Sequence, residues 1–132
     1  MRQGRDLQRR AVTAFGDRAA TGRKGEELVA QHLADDGYTI VARNVRVGRL
    51  ELDIIAQKGA LLIVCEVRSR TSRAFGSPVA TIDRKKIARI RRATAEWLRS
   101  NRRGTRELRF DAAAVTFDAD GSHELEYYER AF

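Results

Sequence analysis

The chain has 132 residues, with 26 Lys and Arg against 18 Asp and Glu, a net charge of +8 and a pI near 10.5. A composition of 42% hydrophobic and 33% charged residues excludes a disordered chain, and this length suits one domain with one hydrophobic core. No run of about 18 apolar residues and no N-terminal signal sequence occurs, so we expect a soluble cytoplasmic protein without a membrane anchor. Because Arg exceeds Lys and its planar guanidinium binds phosphate bidentately, nucleic acid is the first partner to consider; high GC content in the coding DNA is the alternative explanation.

The first 17 residues combine small and polar side chains, little apolar periodicity and four arginines: Arg2, Arg5, Arg9 and Arg10. This pattern predicts a mobile basic arm that contacts phosphates without sequence preference, followed by a domain over residues 18–132. The Arg-rich start also imitates a mitochondrial transit peptide, although Asp6, Asp17 and the absence of Ser argue against one.

A helix is predicted from residue 18 to Asp35, because Gly37 follows and the apolar residues Val29, Ala30 and Leu33 have helical spacing. Glu26 falls on the same stripe. A glutamate stabilised by the helix dipole is the simpler explanation of this acid, and a functional role is the alternative. Gly22 and Gly25 would let the start of the helix approach a backbone or a phosphate closely.

Three strands are predicted next. Residues Tyr38–Arg46 form the first, and the apolar, β-branched segments 49–56 and 61–70 form an antiparallel hairpin around a Gln57-Lys58-Gly59 turn. Leu61–Cys65 is apolar throughout, which indicates a strand covered on both faces. The single cysteine, Cys65, is therefore expected to be a small buried hydrophobe and not a disulfide or zinc ligand.

Acidic residues occur at the ends of both hairpin strands. Alternation places Glu51 with Asp53 on one side of a strand, and Glu66 with Arg68 on one side of the next. A two-residue turn at Lys58-Gly59 would put Glu51 opposite Glu66, whereas a loop longer by two residues would put Asp53 opposite Glu66. Such acids need a partner, which is either an arginine in a cross-strand ion pair or a hard divalent cation such as Mg²⁺.

A polar loop is predicted from Arg70 to Pro78, where Arg70 and Arg73 can contact phosphate. A second helix is predicted from Asp83 to Ser100, with Thr81 as its N-cap. Its core stripe has helical spacing: Ile87, Ile90, Thr94, Trp97 and Leu98.

The other face of the second helix is cationic. A solvated face usually mixes signs, but this one sets the single acid Glu96 against Lys85, Arg89, Arg92 and Arg99. This excess favours a phosphate-tracking surface. Two closing strands, residues 107–117 and 124–130, complete the order αβββαββ, which predicts an α/β domain whose mixed sheet has parallel neighbours across the second helix.

The chain resembles the YraN-type family of small bacterial proteins over roughly residues 20–118. The matching stretches, read in order, are Gly22-Arg-Lys-Gly-Glu26-Glu, Ala42-Arg-Asn-Val-Arg46, Glu51-Leu-Asp53-Ile-Ile-Ala, Val64-Cys-Glu66-Val-Arg68-Ser-Arg70, Phe75-Gly76, Lys86 and Arg109-Phe-Asp111. The resemblance implies a restriction-endonuclease-like fold similar to that of the archaeal Holliday-junction resolvases.

It also implies a nuclease site in which Asp53 and Glu66 bind Mg²⁺ or Mn²⁺, with Glu26 completing the acidic cluster directly or through water. A cation two residues beyond Glu66 would steady the attacking water, and Lys86 would contact phosphate. The nuclease pattern has Lys where this chain has Arg68, and arginine is a poor proton acceptor.

These observations lead to two functional hypotheses. The first is a metal-dependent endonuclease acting on branched or structured DNA, with DNA favoured over RNA and with a homodimer suited to the two-fold symmetry of a junction. The second is a non-catalytic nucleic-acid-binding module whose acids pair with Arg68 and Lys86. A protein-interaction role for the basic face is a weaker third.

Overall fold

The computed structural model describes residues 14–71 and 83–132, which form two helices and five strands. In chain order these are α1 (Ala14–Asp35), β1 (Thr39–Val47), β2 (Leu50–Lys58), β3 (Leu61–Arg70), α2 (Arg84–Arg99), β4 (Glu107–Phe117) and β5 (His123–Tyr128). The predicted order of elements is confirmed. Most of the predicted basic arm and most of the predicted polar loop lie outside the described residues.

The strands form one sheet in the spatial order β1-β2-β3-β4-β5. β3 and β4 are parallel along their whole length, whereas the other three neighbouring pairs are antiparallel. The parallel pair is joined through α2, because parallel neighbours need a crossover connection. The predicted mixed sheet is therefore confirmed.

One helix covers each face of the sheet. The α1 stripe of Val29, Ala30 and Leu33 is buried with alternate residues of the central strands, among them Ile63 and Cys65. The α2 stripe packs on the other face: Ile90 and Ala93 are buried against Leu52, Ile55, Leu62, Val64 and Phe110. Because β3 lies between two covered faces, residues 62–67 are all buried, as its continuous apolar sequence predicted.

Two local predictions were wrong. The hairpin turn consists of Gly59 and Ala60, since Lys58 still pairs with Leu61; Gly59 takes the left-handed conformation (φ +61°), which is nearly free of strain for glycine. The N-cap of α2 is Asp83, whose side chain accepts a hydrogen bond from the Lys86 backbone N–H at 2.8 Å. Thr81, the predicted cap, lies outside the described residues.

A buried ion pair fixes the end of the sheet beside β5. The Arg109 guanidinium donates to both Asp111 oxygens at 2.9 Å, and Asp111 is fully buried. The same carboxylate accepts from the Tyr127 hydroxyl at 2.5 Å and from the Arg130 backbone N–H at 3.0 Å. Arg109 also donates to the Tyr38 hydroxyl at 3.2 Å. The Arg109-Phe-Asp111 motif is therefore structural, since its polar groups are satisfied within the fold.

Candidate active site

β2 and β3 separate in the middle of the sheet. Their last ladder pair is Ile54 with Cys65. Beyond this pair β2 remains paired only with β1, and β3 only with β4, among the described strands. One step further, the register places Asp53 opposite Glu66. This is the second of the two predicted registers, reached by moving the turn one residue along the chain and not by lengthening the loop. The split brings one acid from each strand to the same place.

Asp53 occupies the gap where the ladder ends. Its Oδ2 accepts a hydrogen bond from the Val67 backbone N–H at 2.8 Å, so the carboxylate satisfies a donor of β3 that no longer pairs with β2. The pKa of Asp53 is raised from 3.8 to about 7, first by burial and then by the negative charge of Glu66, against the lowering effect of the Val67 hydrogen bond. The two carboxylates therefore repel each other at short range, and the site favours a cation.

Glu66 is buried with only half of its carboxylate paired. Its side chain is 3% exposed, and its Oε1 lies 3.2 Å from the Lys86 ammonium. Its neighbours Cys65 and Val67 belong to the core under α1, so Glu66 faces α2. Glu66 Oε2 is buried without a hydrogen-bond partner among the described residues. An unsatisfied carboxylate oxygen is costly in a folded protein, and a bound cation would satisfy it.

Glu26 approaches this pair from α1. Gly25 is buried against β3, where an added Cβ would lie 1.8 Å from the Ser69 hydroxyl. The helix thus packs closely on β3 at Gly25, against the side chain of Ser69 and not against a backbone, whereas Gly22 has open space around it. Burial raises the pKa of Glu26, and the charges of Glu51 and Glu66 add to the rise. Glu26 therefore lies near enough to these acids for their charges to act on its carboxyl group.

Sequence reasoning missed one residue of this site, Asn44. It lies on β1 between residues that pair with β2 on either side of Asp53, and it adopts the left-handed conformation (φ +52°). Its side chain lowers the pKa of Glu26 and so partly offsets the rise caused by burial. Asparagine tolerates this conformation better than most residues. An Asn within a β-strand pattern was the available signal.

Two cations accompany the acids. Arg68 follows Glu66 by two residues and therefore faces the same side of β3; its Nε is buried without a hydrogen-bond partner in the described part of the chain. The ammonium of Lys86, which is also predicted to contact phosphate, lies 3.2 Å from Glu66. Among the described residues, the lysine that contacts this pair therefore comes from α2 and not from the strand position two residues beyond Glu66.

Three of the remaining predicted nucleic-acid contacts lie on α2. Lys85, Arg89 and Arg92 are exposed, as the predicted cationic face requires. Arg70 is half-buried and donates to the Thr116 hydroxyl at 3.1 Å, so part of its hydrogen-bonding capacity serves the fold. Arg73 lies outside the described residues.

The acids do not form a ready-made cage for a metal. Among the side chains of 19–71 and 83–132, no three His, Cys, Asp or Glu residues come close enough together to hold an ion alone. Mg²⁺ requires less, because it is commonly held by one or two carboxylates with water and phosphate oxygens. Asp53 and the unpaired oxygen of Glu66 fit that requirement.

The fold and site define an α/β protein with a carboxylate pair at a split in a mixed sheet. The family model described as "Uncharacterised protein family UPF0102" matches residues 25–115. The chain belongs to this family, which confirms the YraN-type resemblance. No described helix is both long and apolar enough to cross a membrane.

Similar proteins carry the same family name. A UPF0102 protein of Sorangium cellulosum is 43% identical over 118 residues, which cover 87% of this chain and 82% of the relative. The UPF0102 protein of Acidothermus cellulolyticus is 39% identical over 125 residues, covering 87% and 95%. That of Anaeromyxobacter dehalogenans is 41% identical over 115 residues, covering 87% and 85%.

Proposed function

We propose that the protein is a metal-dependent endonuclease that acts on branched or otherwise structured DNA and has the restriction-endonuclease-like fold. The observation that carries the proposal is the position of Asp53 opposite Glu66, one step beyond the last β2–β3 pair, where one buried oxygen of Glu66 has no hydrogen-bond partner among the described residues. A mixed sheet with one helix on each face and a helical acid beside the split supports the same fold.

In this proposal Asp53 and Glu66 hold Mg²⁺ or Mn²⁺, and Glu26 orients a water beside them. When bound, the ion would polarise the scissile phosphate and lower the pKa of the attacking water. The chain's own contribution is to fix the two carboxylates: the Val67 N–H orients Asp53, and the Lys86 ammonium orients Glu66. Asn44 would keep Glu26 closer to its charged form, because it lowers the pKa of that acid.

The usual nuclease pattern has one lysine that positions the attacking water and stabilises negative charge. In this chain Lys86 and Arg68 would each take one of these two roles. A lysine ammonium can lose or share a proton, whereas a guanidinium stays charged. Lys86 is therefore suited to positioning the attacking water, and Arg68 to stabilising negative charge on the phosphate. The exposed Lys85, Arg89 and Arg92 would hold the neighbouring phosphates of the DNA, and two copies would match the symmetry of a four-way junction.

A specific contact favours the second candidate, a non-catalytic DNA-binding module. Lys86 already neutralises one oxygen of Glu66 at 3.2 Å, and Asp53 already accepts a backbone hydrogen bond. Both acids could therefore serve as partners within the fold, and the basic face of α2 would bind nucleic acid without cleaving it.

Cleavage of supercoiled plasmid and of a four-way DNA junction, with Mg²⁺, Mn²⁺ or EDTA, separates the two functions. The nuclease predicts metal-dependent nicking that is lost by at least about 100-fold in Asp53→Asn and Glu66→Gln, in line with the usual loss when a transition-state-stabilising group is removed. Glu26→Gln should reduce nicking, whereas the matched variant Glu27→Gln should not, because Glu27 is exposed and pairs with Arg43. Salt-sensitive binding without cleavage would favour the binding module.

A further inference from the structure

An open groove of about 240 Å³ lies between the β1–β2 turn and the outer side of α2. Its apolar surface comes from Val47 and Leu50, on either side of the turn, and from Ala93 of α2. Val47 and Leu50 are only half-buried. The groove therefore presents apolar surface to solvent beside the predicted phosphate-tracking face.

Three guanidinium groups line the same groove: Arg49 from the turn, and Arg89 and Arg92 from α2. All three are exposed. None of them forms an ion pair with an acid in the described part of the chain, although four other cations there, Arg43, Lys86, Arg109 and Arg130, do. The charge at the groove is thus available to an anionic ligand.

The groove is close to the candidate active site. Leu50 precedes Asp53 by three residues on β2, which is about 10 Å along a strand. Arg92 follows Lys86 by six residues on α2, which is about 9 Å along a helix. Phosphates of one B-form strand advance by roughly 3.4 Å per nucleotide, so a chain in the site would reach the groove within a few nucleotides.

The combination of groups distinguishes a nucleotide from a bare phosphate. Arginine planes bind phosphate and also stack on bases. Apolar surface suits a base face, and Glu96, which also lines the groove, would repel a second phosphate while accepting a hydrogen bond from a base. A base can enter such a groove only when it is unpaired.

We propose that this groove binds an unpaired nucleotide of the substrate strand, with its phosphate between Arg49 and Arg89 and its base on the surface formed by Val47, Leu50 and Ala93. The proposal rests on the proposed function and deepens it. It specifies DNA with a single-stranded segment a few nucleotides from the cut, as at a branch or a flap.

Binding of a short labelled single-stranded DNA in EDTA tests the groove without turnover. Arg49→Gln/Arg89→Gln should weaken binding at least about tenfold and flatten the salt dependence by roughly one to two phosphate contacts. The matched pair Arg102→Gln/Arg106→Gln removes the same charge at exposed positions outside the groove and should have less than about a threefold effect. Arg92→Gln, a single change at another groove position, should shift binding in the same direction as the groove pair.

A strand with abasic sites provides the decisive comparison. The wild type should bind it more weakly than the intact strand, because the base contact with Val47, Leu50 and Ala93 is missing. The loss caused by Arg49→Gln/Arg89→Gln should persist on abasic DNA, because these arginines contact the phosphate. Equal losses for both double variants, or equal binding of intact and abasic DNA by the wild type, would overturn the nucleotide groove. The plasmid and junction assay is independent: absence of cleavage with intact groove binding would refute the nuclease alone, whereas cleavage without groove selectivity would refute the groove alone.

Discussion

Replacing Asp53 by Asn should make the metal-free protein more stable at neutral pH. Burial, and after it the charge of Glu66, raises the folded-state pKa of Asp53 from 3.8 to about 7. The stability associated with the protonated group is therefore fully present below the unfolded pKa and is lost as pH rises through the folded one. At about 1.4 kcal/mol per pKa unit, the free energy of unfolding decreases by about 4 kcal/mol in total. About 2.5 kcal/mol of this decrease occurs between about pH 5 and pH 8.

Urea unfolding of the wild type and Asp53→Asn in EDTA measures this difference directly. The variant should gain up to about 2.5 kcal/mol on the wild type between about pH 5 and pH 8, because Asn carries no charge at either pH. Asp36→Asn is the matched control, since Asp36 is an exposed acid at the end of α1, and it should not change the pH dependence.

Mg²⁺ should reverse the ranking. A ligand that binds only the folded state stabilises it in proportion to the logarithm of its concentration over the Kd. The wild type should therefore be stabilised by Mg²⁺ near pH 8, and Asp53→Asn should respond much less. Identical pH profiles for the two proteins, or equal stabilisation of both by Mg²⁺, would refute the description of Asp53 as a buried acid awaiting a cation.

Three further variants test the surroundings of the site. Lys86→Ala should cost about 2 kcal/mol by leaving Glu66 without its 3.2 Å partner, and should slow cleavage more than it weakens DNA binding, with Lys85→Ala as the control for charge. Gly25→Ala should reduce nicking and Mg²⁺-induced stabilisation, because a Cβ 1.8 Å from a β3 side-chain oxygen displaces the start of α1. Arg109→Met should lower the free energy of unfolding by about 3 to 5 kcal/mol, because it leaves the buried Asp111 carboxylate without its ion-pair partner. The stabilisation of the folded protein by Mg²⁺ should not change.

The sheet could be predicted from the sequence because its information is local. Alternation fixes the faces of β2 and β3, and continuous burial identifies β3. The connection through a helix then predicts the parallel pairing of β3 with β4. The sequence permits two registers, one for a two-residue turn at Lys58-Gly59 and one for a loop longer by two residues. It does not show that the turn lies one residue further along, at Gly59-Ala60.

The site was predicted only in part, because some of its contacts join residues far apart in the chain. Asp53 and Glu66 were predictable from one hairpin. The contact of Lys86 with Glu66 depends on how α2 packs over β3, which its amphipathic pattern does not specify to one residue. Asn44 was not predicted because its left-handed backbone conformation differs from that of the strand around it. Strand patterns in a sequence do not reveal a single residue of this kind.

The substitution of Arg for Lys at position 68 has a different significance in the fold than in the sequence. On the strand, it removes the one residue that the nuclease pattern uses as a proton-sharing cation. In three dimensions, the ammonium of Lys86 lies 3.2 Å from Glu66 Oε1. Arg68 lies two residues beyond Glu66, and its buried Nε has no hydrogen-bond partner in the described part of the chain. The site thus retains an ammonium and gains a guanidinium. Two fixed cations with separate tasks are chemically compatible with phosphodiester cleavage, so Arg68 alone is no argument against turnover.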